Sequence, residues 1–323
     1  MSKPLLLLTR HFPTAVEARA ARDYATIPNA ADTPMTGEEI AAAAAHTQPA
    51  GILCAAGDAF NATTIQALPE SVKIIATFSV GTDHIDLQAA ASRGILVANT
   101  PDVLSVATAE IAMLLILSAA RRGGEAERML RAREWAGWAP TQLMGVTLEN
   151  KKLGILGMGR IGQALAKMAR GFGMEIHYRN RNPLPESEAQ GAIYHADDTA
   201  FLGAIDVLSM HIPGGAATRH WLDARRIAQL RPGSIVVNTG RGSTVDDVAL
   251  CAALASGHLR AAGLDVFDGE PRIHEGYYTT PSLVLLPHLG SATVETRDAM
   301  GFRALDNLDA VLLRGEAPPH RVG

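Results

Sequence analysis

Three polar residues of this chain each follow an apolar run. They are Arg241 in VVNTGRGSTVDD, Glu270 in AAGLDVFDGEP and His288 in VLLPHLGSAT. A guanidinium, a carboxylate and an imidazole together suit reduction of an α-keto acid. Arg241 can bind the anionic carboxylate and polarise the ketone beside it. His288 can give a proton to the ketone oxygen as hydride reaches carbon. Glu270 can orient His288 and raise its pKa, keeping the ring protonated near neutrality. Alone, each residue also suits a capping or packing role, so the chemistry depends on a hydride source.

That source is indicated by KKLGILGMGRIGQALAKMARGFGMEIHYRNR. Gly157, Gly159 and Gly162 form G-x-G-x-x-G between an apolar strand pattern and an amphipathic helix pattern. The first glycine permits a tight turn, the second lets backbone approach a pyrophosphate, and the third lets helix pack on strand. Met158, Arg160 and Ile161 lie between them and count as cofactor contacts. The pyrophosphate would sit on N–H groups at the helix N-terminus. About 20 residues on, where an aspartate or glutamate usually accepts the ribose hydroxyls, stand Arg179, Asn180 and Arg181. Two arginines can clasp a 2′-phosphate with charge-assisted bonds, and Asn180 can add a donor. The expectation is NADPH, with NADH weaker; the alternative is two solvated arginines.

These residues must be carried by elements. Residues 5–8, 51–55, 73–77, 152–156, 175–178, 207–210, 234–238, 261–265 and 283–286 read as strands. Residues 59–68, 107–122, 160–172, 246–256 and 293–314 read as helices, the fourth capped by Thr244. Residues 107–122 are apolar on nearly every face, which predicts one long buried helix. Strands alternating with helices predict an α/β protein of doubly wound parallel sheets, in which strand C-termini face the ligand crevice. Arg241, Glu270 and His288 should converge there. No repeat or Gly/Ser linker is seen, so crossings between domains would be short or helical, as a hinge requires.

The chain has 323 residues, which suggests two domains. Hydrophobic residues are 47% and charged residues 19%, as in globular proteins. A formal charge of −4 provides no global basic field for nucleic acid or an anionic membrane. Cys54 and Cys251 sit in apolar runs, which argues for two buried thiols rather than a disulfide scaffold or metal site. The leucine run near the start is too short for a signal peptide, and residues 111–117 are too few for a membrane span. The expected location is the cytoplasm.

The chain also resembles the D-isomer-specific 2-hydroxyacid dehydrogenases, and within them the glyoxylate/hydroxypyruvate reductases. The likeness runs nearly end to end, through SVGTDHID, NTPDVLSVATAEIAMLLILSAARR, GILGMGRIGQALA, NTGRGSTVDD, AAGLDVFDGEP and LLPHLGSAT. It implies two Rossmann-like domains with an active-site cleft between them. The substrate domain would be discontinuous, residues 1–100 plus 290–323, and residues 101–289 would bind the dinucleotide. Closure of the cleft would exclude water. The resemblance implies Arg241, Glu270 and His288 as the catalytic trio, and backbone N–H groups of Val80 and Gly81 as substrate contacts. Thr108 would line the nicotinamide region, and His288 and Gly290 would also contact the cofactor. His211, Ile212 and Pro213 would flank the adenosine side, and Thr239, Gly240 and Arg241 the nicotinamide ribose. Asp265 would hold the carboxamide. A homodimer is implied, formed through the long helix and REWAGWAPTQLMG, from which Trp138 would reach the partner's substrate; plain dimer packing is the other role open to Trp135 and Trp138. The expected reaction is NADPH-dependent reduction of glyoxylate to glycolate and of hydroxypyruvate to D-glycerate. The loop PRIHEGYYTTPSL departs from many relatives, and CAAGDAF places small side chains where a substrate loop should sit. Both keep open a broader 2-keto acid or 2-ketogluconate reductase. A cofactor-sensing corepressor, as some relatives of this fold are, is the remaining alternative.

Overall fold

The computed structural model describes residues 2–323. The chain divides into two compact units. One runs up to Leu104 and takes in Ala292–Gly323; the other is Ser105–Ser291.

The first unit begins β1 (Leu5–Leu8), α1 (Thr14–Asp23), β2 (Ala25–Pro28), α2 (Gly37–Thr47), β3 (Gly51–Cys54), α3 (Ala62–Ala67), β4 (Ile74–Thr77), α4 (Leu87–Ser92) and β5 (Leu96–Ala98). The second unit runs α5 (Ser105–Ala120), α6 (Gly123–Arg131), β6 (Lys152–Leu156), α7 (Arg160–Arg170), β7 (Glu175–Arg179), α8 (Glu186–Ala189), β8 (Ile193–Tyr194), α9 (Asp198–Ala204), β9 (Val207–Met210), α10 (Ala224–Ile227), β10 (Ser234–Asn238), α11 (Asp247–Ala255), β11 (Leu259–Leu264), α12 (Gly276–Thr279) and β12 (Leu283–Leu285). The chain then returns to the first unit with α13 (Val294–Leu312) and β13 (Arg321–Val322).

Among the described residues, the first unit's sheet is six-stranded, in the order β13-β5-β4-β3-β1-β2, and only β13 is antiparallel. The second unit's sheet is seven-stranded and wholly parallel, in the order β12-β11-β10-β9-β6-β7-β8. Its order reverses between β6 and β9, the switch point at which an α/β sheet opens a crevice beyond its strand C-termini. Alternate residues of these strands point to opposite faces, and helices cover both. Leu153, Ile155, Val207, Ile235 and Val237 pack with α5 and α7; Leu156, Leu208, Met210, Val236 and Leu264 pack with the buried side chains of α9 and α11.

The structure revises several expectations. The long helix stops at Ala120, because Arg122 adopts φ 54 and starts α6, which buries no residue. Thr244 does not cap α11. Asp246 does, accepting from Ala249 N at 3.1 Å. Cys54 is fully buried and its thiol pKa is raised by burial. Cys251 is only half-buried, 3.8 Å from His274 Nδ1.

Candidate active site

The second unit places Arg241, Glu270 and His288 on three loops beyond β10, β11 and β12. Asn238, the last residue of β10, is fully buried and organises the first loop. Its Oδ1 accepts from Gly240 N at 2.9 Å and its Nδ2 donates to Arg241 O at 2.9 Å. Thr244 Oγ1 donates to the same carbonyl at 2.6 Å. A Cβ on Gly242 would lie 1.8 Å from the Phe267 carbonyl carbon, so this loop packs backbone on backbone against the one leading to Glu270. Only glycine permits that approach.

Glu270 bridges two partners. Oε1 accepts from Phe267 N at 2.8 Å, and Oε2 accepts from His288 Nδ1 at 2.8 Å. With Nδ1 donating, Nε2 is the nitrogen left for a substrate. His288 has φ 55, uncommon for a residue with a side chain, and the turn around it is held from one point. Asp265 O accepts from His288 N at 2.9 Å, Asp265 Oδ1 from Leu289 N at 2.6 Å, and Asp265 Oδ2 from Gly290 N at 2.8 Å. Thr108 Oγ1 closes the turn by donating to Gly290 O at 3.1 Å. Asp265 thus braces the histidine loop.

The charges reinforce this order. The hydrogen bond to Glu270 raises the His288 pKa above the usual imidazole value, against desolvation and the nearby Arg241. Burial alone would raise the Glu270 pKa, but the bond and charge of His288, with Phe267 N–H and Arg241, hold it below the usual carboxylate value. The pair is therefore stabilised as imidazolium and carboxylate. Burial raises the Asp265 pKa.

The glycine turn at the β6/β9 switch fits a dinucleotide. Gly157 has φ 88, and a Cβ there would lie 3.0 Å from both the His211 carbonyl carbon and Ile212 Cγ2. A Cβ on Gly162 would lie 2.8 Å from Gly157 O, so α7 starts hard against the turn. At Gly159 a Cβ would meet nothing within 4 Å: the space beside it is open, as approach of a pyrophosphate requires. Arg160 and Ile161 offer the first amides of α7, whose N–H groups have no carbonyl inside the helix. Across the turn, burial lowers the His211 pKa to about 4, and its ring sits between Ser209 Oγ (2.9 Å) and Thr239 Oγ1 (3.1 Å) as a neutral imidazole. Gly240 lies against Ile212 O, while Pro213 is exposed.

At the end of β7, Asn180 is bonded to the backbone of Met158. Its Oδ1 accepts from Met158 N at 2.7 Å and braces the glycine turn. Arg179 donates from Nε to Asp198 Oδ1 at 2.8 Å and from a terminal nitrogen to Asn180 O. Arg226 shares Asp198 at 3.3 Å and lies over the Trp221 ring. Arg181 is exposed and, among the described residues, has no ion-pair or hydrogen-bond partner. Asp198 and Arg226 lie 19 and 47 residues beyond Arg179 in the chain, with no motif to flag them. Asn238 did carry a signal: a polar residue closing a mostly apolar parallel strand.

In the first unit, Val80 is exposed and Gly81 half-buried, in the loop after β4. Trp138 is 80% exposed in a stretch, residues 131–140, with no buried residue.

Comparison with known proteins identifies the setting. The sequence profile of the D-isomer specific 2-hydroxyacid dehydrogenase NAD binding domain matches residues 113–290. A glycerate dehydrogenase from Hyphomicrobium methylovorum is 43% identical over 313 residues, 96% of this chain and 97% of that protein. The crystal structure of a D-isomer specific 2-hydroxyacid dehydrogenase from a Polaromonas species superposes with a TM-score of 0.94 at 45% identity, covering 99% of this chain and 100% of the other. An NADPH-dependent glyoxylate/hydroxypyruvate reductase from Sinorhizobium meliloti, crystallised with NADP and malonate, gives a TM-score of 0.87 at 36% identity, covering 100% and 97%.

Proposed function

The chain belongs to the D-isomer specific 2-hydroxyacid dehydrogenases, and on that premise we propose that it reduces glyoxylate to glycolate and hydroxypyruvate to D-glycerate with NADPH. The observation that carries the reading is the 2.8 Å bond from His288 Nδ1 to Glu270 Oε2. It leaves a protonated Nε2 to serve as the acid. Arg241 binds the substrate carboxylate and polarises the ketone. In the first unit, the Val80 and Gly81 amides are donors suited to a carboxylate. His288 Nε2 gives its proton to the ketone oxygen, and Glu270 steadies the ring through the transfer. The reduced nicotinamide, when bound, supplies the hydride. Thr108, Thr239, Gly240 and the turn at Gly290 would hold its ring and ribose, and the first amides of α7 would hold its pyrophosphate.

For the cofactor, a guanidinium ends β7 where a carboxylate would accept ribose hydroxyls, and Arg181 stands two residues on with its donors uncommitted. Both favour a 2′-phosphate. With Arg179 held by Asp198, Arg181 is the arm this reading assigns to closing on the phosphate.

The test is a set of initial rates on glyoxylate, hydroxypyruvate, pyruvate and 2-ketogluconate with NADPH and with NADH. The expected order places the first two substrates and NADPH ahead. Comparable kcat/KM with both cofactors would refute the phosphate clasp. A second reading, a broader 2-keto acid reductase, is favoured by the loop at Ala55–Ala56–Gly57. Ala56 and Gly57 are exposed there, and a Cβ on Gly57 would meet nothing within 4 Å. Under that reading 2-ketogluconate is turned over as efficiently as glyoxylate.

A further inference from the structure

The loop after β4 is held by a set of hydrogen bonds that the reaction chemistry does not by itself require. Three successive carbonyls are each taken by a specific donor. Ser79 O accepts from Thr100 N at 2.9 Å. Val80 O accepts from Asn99 Nδ2 at 2.8 Å, and Gly81 O accepts from Ser79 Oγ at 2.6 Å. In a planar trans peptide the N–H points opposite to the carbonyl of the preceding residue. Fixing Ser79 O therefore aims the Val80 N–H, and fixing Val80 O aims the Gly81 N–H. Among the described residues, neither of those two N–H groups has an acceptor.

The donors are themselves anchored. Asn99 N donates to His320 O at 3.2 Å, and Asn99 O accepts from Asn307 Nδ2 at 3.0 Å. Ser79 is buried and lies 2.8 Å from the hydroxyl of buried Thr77, which is 3.0 Å from His84 Nε2. Each hydroxyl has one proton, which settles every direction. A carbonyl cannot donate, so Ser79 gives its proton to Gly81 O. Thr77 must then donate to Ser79, and His84 Nε2–H must donate to Thr77. The chain of donors runs one way, from the imidazole to the Gly81 carbonyl.

We propose that Asn99 and Ser79, the latter backed by Thr77 and His84, are positioning residues that aim the Val80 and Gly81 amides at the carboxylate of the substrate. The proposal rests on the reductase reading for the identity of that anion, a 2-keto acid; the aimed amide pair itself rests on geometry. None of the four side chains touches the reacting atoms.

The experiment has two readouts. Steady-state kinetics on glyoxylate with Ser79→Ala and Asn99→Ala should show KM raised about tenfold or more, kcat reduced much less, and the NADPH dissociation constant unchanged. Ser79→Thr retains the hydroxyl and should stay near wild type, as should His84→Gln, which keeps an N–H donor. Titration of the 15N-labelled protein with oxalate should shift the Val80 and Gly81 amide signals, with affinity about tenfold weaker in both alanine variants. If the variants bind oxalate and glyoxylate within twofold of wild type, or if oxalate leaves those two signals unmoved, the proposal is wrong. If the wild type reduces no keto acid while oxalate still moves the signals and the variants still weaken it, the reductase reading fails and the positioning role stands. Should an alanine variant fail to fold, Ser79→Thr against Ser79→Cys makes the same comparison, and equal oxalate affinity in those two would overturn the role of the hydroxyl.

Discussion

At the residue scale, the His288–Glu270 pair sets the pH range over which the acid can work. The bond to Glu270 raises the His288 pKa, so the protonated acid survives to higher pH than a free imidazole. In the reductive direction kcat/KM should be flat at neutral pH and fall as pH rises through that displaced pKa. In Glu270→Gln the fall should begin at lower pH, since the charge that favours imidazolium is gone. A pH–rate profile with the same break in both proteins would separate Glu270 from the titration. His288→Gln should lower kcat by about 10²–10⁴-fold with NADPH affinity retained; turnover near wild type would mean that another group gives the proton. Arg179→Ala combined with Arg181→Ala should raise KM for NADPH by about 10- to 100-fold, as loss of charge-assisted bonds predicts, and leave KM for NADH nearly unchanged. Equal effects on both cofactors would contradict phosphate recognition.

At the element scale, strand ends do the positioning and their polar closing residues make it rigid. Thr244→Val removes the buried hydroxyl that donates to Arg241 O. It should cost about 1–2 kcal/mol, read as a melting temperature lower by about 3–6 °C, and KM for the keto acid should rise as Arg241 loosens. An unchanged KM would show that Asn238 alone holds the loop. What could be read from the sequence divides along the same lines. The central strands β6, β9, β10 and β11 were legible because they are almost wholly buried and mostly apolar. The glycine turn and the trio were legible because motif and strand end coincide. Edge strand β2, ATIP, was not: it is only partly buried and ends in proline. Helices α1 and α2 are rich in alanine and charge, so they lack a strong apolar stripe. Helix α6, which begins just past the expected end of the long helix, was not legible because it is rich in charge and buries no side chain. The Asp198 partner of Arg179 belongs to a different element, and only the fold brings the two together.

At the scale of the whole molecule, the second unit leaves several large apolar side chains exposed from α5 to β6. Leu114 of α5, Leu130 of α6, and Trp135, Trp138 and Met144 beyond it are all exposed in the single chain. A monomer seldom tolerates so many large apolar side chains along one segment. The expected assembly is a homodimer of about 68 kDa, twice the 34.1 kDa chain, and light scattering should give monomer for Leu130→Asp combined with Trp138→Asp. A monomeric wild type would discard the assembly. The interrupted layout of the first unit has its own result. Ala304, Leu305 and Leu308 belong to the same core cluster as Leu6, Leu53 and Ile74, and β13 pairs with β5 at the edge of the sheet. During synthesis, then, the inserted half can complete its own contacts first, while the host half must wait, with one face of its sheet covered only by α1, for a helix translated some two hundred residues after its fifth strand. A nascent chain stalled before residue 292 would present to chaperones a finished nucleotide-binding module tethered to an unfinished partner.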